Sequence, residues 1–195
     1  GLLQKMSEPI QKRGPDGTTI IQYQNMGFVQ TKLAAVSNGT EPFFDEDFGI
    51  IVATNGTIYN QDELRERLIE AGYRFLTESQ AEVLTKAYHC WGESFVEELD
   101  GAYAIALWSE TDRALLLVRD RFGKKPLYYS FGQSERALYF ASNTQSLLQT
   151  RDIDTEIDPH ALHFMYSLHA VVPAPWTILK GIRKVEPGHY LRIDA

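Results

Sequence analysis

The sequence predicts an α+β fold built on antiparallel sheets. Two observations lead there. Segments of strand character arrive in adjacent pairs, and helical segments are inserted between them as blocks. That order favours α+β over a doubly wound parallel sheet. Near residue 100 the hydrophobic period also drops from helical spacing to two, as it does where a helical block gives way to paired strands.

Each element has its own reason. Leu2, Leu3, Met6 and Ile10 recur at helical spacing and predict a short amphipathic helix over 1–12, which Pro9 weakens or ends early. Arg13-Gly14-Pro15-Asp16-Gly17 is a loop of chain breakers. Residues 18–24 and 27–36 are rich in β-branched and apolar side chains and predict two strands turned near Asn25-Met26-Gly27. A loop with Asn38-Gly39 and Pro42 follows. The nearly continuous apolar run 48–54 predicts a strand buried on both faces. Asn60 with Glu63, and Ser79 with Glu82, have the spacing of capping boxes and predict two helices. Leu64, Leu68 and Ile69 form the apolar face of the first, Val83, Leu84, Ala87 and Tyr88 that of the second. A shorter helix covers 94–99. Strands at 102–109 and 114–119 join through a polar hairpin, and a second hairpin pairs 126–131 with 137–141. Helices at 143–149 and from Asp158-Pro159 to Tyr166 follow, the latter with proline at its first position. A proline-bearing tail ends in a strand at 190–193.

Composition narrows the function classes. The 195 residues suit one domain with a core of its own. Lys plus Arg is 19 against 26 Asp plus Glu, a net charge of −7, which argues against a nucleic-acid partner. Cys90, the one cysteine, excludes an internal disulfide framework and a multi-cysteine metal site. No apolar run approaches the roughly 20 residues needed to span a membrane, and no leader is seen. A cytoplasmic protein without a membrane partner is the expectation.

Most familiar chemistry finds no support. His160 and His163 lie three apart on one predicted helix, but no carboxylate completes a ligand set, so no metal is expected. Phe122-Gly123-Lys124-Lys125 lacks the spacing of a phosphate loop. Cys90 sits mid-helix with His89 beside it in sequence, pointing elsewhere, and reads as a small core residue. Asn55-Gly56 has two readings. It is a hairpin turn, or it is a pair of amide donors converging on a ligand oxygen. The charged string 119–125 reads as a solvated loop, although its continuation into Pro126-Leu127-Tyr128-Tyr129 is unusually specific.

Five strings in order now stand out. They are Arg13-Gly14-Pro15-Asp16-Gly17; Asn55-Gly56-Thr57-Ile58-Tyr59-Asn60; Glu82-Val83-Leu84 with Leu99-Asp100-Gly101; the run 119–129; and Val172-Pro173-Ala174-Pro175 with Pro187-Gly188-His189-Tyr190-Leu191. With them the chain resembles the N-terminal, glutamine-hydrolysing domain of the asparagine synthetase family, a class II glutamine amidotransferase of the N-terminal-nucleophile (Ntn) hydrolase fold. The resemblance implies a four-layer αββα sandwich with two antiparallel sheets. It implies hydrolysis of the glutamine side-chain amide and transfer of ammonia to an ATP-dependent synthetase domain, in cis or in trans. ATP and magnesium would belong to that partner and not to this domain; a homodimer is left open. The oxyanion hole falls on Asn55 and Gly56, and the substrate contacts on Lys32, Val36, Thr57 and Gln80. By the same resemblance, 1–157 is the amidotransferase-like domain without its first strand, and 158–195 a connector toward the synthetase.

The departures matter as much. In the family a cysteine opens a strand ahead of the first helix; here the helix begins at Leu2, and the nucleophile is expected to be missing from this chain. Lys32 stands where the family has an arginine, and Thr57 and Gln80 where it has carboxylates. A domain that binds glutamine weakly or not at all, and hydrolyses none as the chain stands, is one expectation. A pseudo-glutaminase that supports a synthetase, as in the β-lactam-forming synthetases, is the alternative.

Overall fold

The computed structural model describes residues 1–33, 41–133 and 137–195. The chain opens with α1 (Leu2–Ser7), which passes into a 3-10 turn over Glu8–Arg13 with Pro9 in its first turn. Strands β1 (Gly17–Tyr23) and β2 (Met26–Lys32) form a hairpin. β3 (Phe43–Asp45) and β4 (Ile50–Ile58) follow, then α2 (Gln61–Glu70), α3 (Gln80–Trp91) and a 3-10 segment Gly92–Glu98. β5 (Gly101–Ser109), β6 (Ala114–Arg119), β7 (Tyr128–Phe131) and β8 (Leu138–Ala141) lead to α4 (Thr144–Leu148) and α5 (Pro159–Ser167). β9 (Arg183–Lys184) and β10 (Tyr190–Asp194) complete the fold. The 158–195 stretch thus contributes one strand to each of two sheets.

Strand alternation builds the layers. In the five-stranded sheet β10-β6-β5-β4-β3, Ile50, Val52, Ile105, Leu107, Leu116 and Val118 point to one face and pack on Leu64 and Leu68 of α2 and Val83, Leu84 and Ala87 of α3. Ile51, Ala104, Ala106, Trp108, Leu115 and Leu117 point to the other and meet Phe28 of β2, with Tyr129 and Phe140 beyond. The second strand layer is covered in turn by Met6 of α1 and Leu147 of α4. The result is the α-β-β-α layering the sequence implied. The second layer, however, hydrogen-bonds in two groups among the described residues: the β1-β2 hairpin, and β8-β7-β9.

Several boundaries moved for identifiable reasons. The strand expected at 48–54 runs on to Ile58, because Asn55, Gly56 and Thr57 pair with Ala104, Tyr103 and Ala102. Asn55-Gly56 is therefore mid-strand and not a hairpin turn. Asn60 caps nothing. Its amide donates to Glu98 O (2.8 Å) and accepts from Asp100 N–H (3.0 Å), a long-range tie in place of the local one. Ser79 does cap α3 through Ala81 N–H, but Glu82 turns away from the box. The end of the strand expected over 27–36, and the Asn38 loop, lie outside the described residues. Among the described residues no helix is long and apolar enough to cross a membrane.

Candidate functional site

β4 outruns its neighbour. β3 pairs only with Ile50, Ile51 and Val52, so beyond them the outer edge of β4 has no strand beside it among the described residues. Two side-chain amides occupy that edge instead. Gln30 of β2 accepts Thr54 N–H (3.3 Å) and donates to Thr54 O (2.8 Å). Gln80, first residue of α3, donates to Gly56 O (3.0 Å) and accepts Ile58 N–H (3.2 Å). Gly56 itself departs from ordinary strand geometry, with φ of +125°.

Asn55 lies one step along, so its side chain falls on the inter-layer face with Ile51 and Ala53. There its Nδ2 is buried without a hydrogen-bond partner among the described residues. An unsatisfied buried amide costs about 1–3 kcal/mol, which a ligand oxygen would offset. Asn55 lines a cleft of about 360 Å³ that β2 and β8, unpaired with each other, flank. The small side chains of Ala53, Ala104 and Ala106 are part of its lining.

Lys32, Asn55, Gly56, Thr57 and Gln80 all line this one cleft; Val36 lies outside the described residues. Lys32 is half-buried and Thr57 exposed. Gln80 is present but committed. Besides its two bonds to β4 backbone, its Nε2 donates to Thr54 Oγ1 at 3.0 Å.

Sequence reasoning missed Glu41. It lines the same cleft at 7% exposure. Its Oε2 accepts from Gln30 Nε2 and Thr54 Oγ1, each at 2.6 Å. Burial pushes its carboxyl above the usual range, outweighing the donors Thr54, Gln30 and Gln80 and the Lys32 charge. The only available signal was an acidic residue set directly before the apolar run Pro42-Phe43-Phe44.

The cleft's other wall includes Lys125 and Pro126, positioned by a loop that is far from a solvated charge run. Asp120 is fully buried and accepts the N–H groups of Phe122, Lys124 and Lys125 at 2.9–3.1 Å. Arg119 donates to the carbonyls of Gly123, Lys125 and Val185. Asp120→Ala, which strands three N–H groups, should lower stability by roughly 2–3 kcal/mol in urea denaturation. A loss within about 0.5 kcal/mol, the range of an ordinary surface change, would refute this account of the loop.

Cys90 is not at the site. It lies on α3 and packs with the core on the opposite face of the five-stranded sheet. His160 and His163 lie on α5, and no three His, Cys, Asp or Glu residues converge on a metal position among the described residues.

Comparison with known proteins fits this geometry. The glutamine amidotransferase domain family matches residues 1–195. The chain is 38% identical over 194 residues to asparagine synthetase [glutamine-hydrolyzing] 1 of Bacillus subtilis, covering 98% of this chain and 30% of that protein. It is 31% identical over 195 residues to asparagine synthetase [glutamine-hydrolyzing] 3 of the same organism, covering 97% and 31%. Amidase chry2 of Gibberella zeae is 30% identical over 192 residues, covering 93% and 27%. The chain thus spans 27–31% of the length of these relatives. Among solved structures, glutamine phosphoribosylpyrophosphate amidotransferase from B. subtilis superposes with a TM-score of 0.56 at 22% identity, over 86% of this chain and 32% of that one. An allosteric regulatory enzyme of purine biosynthesis gives 0.61, also at 22%, over 86% and 33%. At that identity the likeness is one of fold, the Ntn-hydrolase sandwich.

Proposed function

The chain belongs to the glutamine amidotransferase domain family, and from that membership we propose that its cleft takes the side-chain amide of glutamine on behalf of an asparagine-synthetase-like protein. The observation that carries this reading is the orphaned Asn55 Nδ2, buried next to Gly56 in the lining of the cleft. A donor of this kind suits the carbonyl oxygen of an amide, where negative charge grows as the carbon is attacked. Lys32 supplies a cation for the α-carboxylate, as a point charge without the two-pronged grip of an arginine. Hydrolysis consumes water and glutamine and yields glutamate and ammonia. The ammonia would pass to an ATP-dependent synthetase partner, and ATP and magnesium would bind there. These residues hold and polarise the amide. The attacking group is another matter, since the thiol of Cys90 lies beyond the sheet. As it stands, the 195-residue chain should release no glutamate.

Calorimetry with glutamine on the intact protein tests the binding. Binding that weakens about tenfold or more in Asn55→Ala is the expected result. An intact protein that ignores millimolar glutamine would overturn the reading. It would favour a second one, in which the domain is a structural support for the synthetase. That alternative draws on Gln80, whose amide makes three bonds to β4 residues.

A further inference from the structure

We propose that Glu41 is the anionic anchor for the α-ammonium of the amino acid bound in the cleft, a specificity role that rests on the glutamine-binding reading above. The argument begins with what Glu41 does for the fold. The donors on its Oε2 are an amide and a hydroxyl, Gln30 Nε2 and Thr54 Oγ1. Both are neutral; they and the Lys32 charge favour the carboxylate, but burial outweighs them. A carboxylate kept under those terms at the lining of a ligand cleft suits a cation that arrives with the ligand.

The neighbours fit the same ligand. Glu41 reaches Gln80 through the hydroxyl of Thr54, so its charge lies beside the amide that has replaced the family's carboxylate. Lys32 lines the same cleft. A zwitterion carrying one ammonium and one carboxylate complements that pair of charges; an uncharged amide or a simple carboxylic acid does not. The change from carboxylate to amide at residue 80 is then a relocation of the anion and not its loss.

The test compares glutamine with 4-carbamoylbutanoic acid, the same molecule without its α-amino group, by calorimetry on the intact protein. The parent should prefer glutamine by about 10- to 100-fold. Glu41→Gln should remove most of that preference by weakening glutamine alone, with the deaminated analogue unaffected. Its ligand-free unfolding midpoint should hold or rise, since a buried charge has been neutralised. Equal weakening of both ligands, or an unchanged preference, overturns the assignment and leaves the glutamine-binding reading intact. A parent that binds neither ligand overturns both. If Glu41→Gln does not fold, Glu41→Asp serves in its place: weaker glutamine binding with the deaminated analogue unaffected supports the role, and unchanged binding or equal weakening of both ligands refutes it.

Discussion

Exchanging Gly56 for alanine should lower stability by more than about 3 kcal/mol and abolish amide binding together. Gly56 has φ of +125°, which a residue with a Cβ rarely adopts. The Cβ would also collide with the Ala102 carbonyl oxygen and lie 2.9 Å from its carbon and 3.0 Å from Tyr103 Cα, on the strand that β4 must pair with. Relief requires moving β4 away from β5, and the cleft lining at Asn55 and Gly56 moves with it. Urea denaturation and glutamine calorimetry should show both losses at once. A variant within about 1 kcal/mol of the parent, still binding glutamine, would mean that the close approach at Ala102 is dispensable.

Lys86→Met should cost roughly 3–5 kcal/mol. Lys86 is 6% exposed and bridges Glu82 (2.8 Å, 0% exposed) and Asp45 (3.3 Å, 7% exposed). Glu82 also accepts the N–H groups of Leu76 and Thr77 and the hydroxyl of Thr77, tying the segment before α3 to the helix. Methionine fills much of the same space and removes the cation, leaving two buried carboxylates uncompensated. The pH dependence separates this cause from a packing defect. Burial pushes the Glu82 carboxyl up, but Lys86, Thr77 and the two N–H groups outweigh it and hold it below its ordinary 4.5. A folded value below the unfolded one means stabilisation that is present above pH 4.5 and lost as the pH falls through the folded value. Without Lys86 the balance should tip, and the variant should gain stability on mild acidification where the parent loses it. An acid profile parallel to the parent's would exclude the ion pair as the cause.

The antiparallel α+β character was legible from the sequence because strand-like segments arrive in adjacent pairs with helices inserted as blocks, while the four-layer order came through the resemblance; in the structure, alternation in β5 and β6 sorts their residues onto two faces, and α3 presents an apolar face to one of them. Local signals failed where a distant partner outbid them. Asn60 had the look of a cap and is instead a brace for the 98–100 turn. β4 looked complete at Thr54 because polar Asn55 and flexible Gly56 resemble a turn, and only their pairing with β5 extends it. Within the site, Lys32, Asn55, Gly56, Thr57 and Gln80 were located through resemblance, and the structure gathers them in one cleft. Glu41 had no such handle. Its significance comes from contacts with Gln30 and Thr54, 11 and 13 residues away, which no local pattern encodes.

The amides of Gln30 and Gln80 have one consequence beyond the cleft. A strand edge with free N–H and C=O groups is a template on which another polypeptide can add. Along Thr54, Gly56 and Ile58 that template is partly taken up by the side-chain amides of Gln30 and Gln80, where the described residues place no further strand. Those amides thereby satisfy backbone groups of the stretch of β4 that carries Asn55 and Gly56, leaving fewer of them open to an added strand.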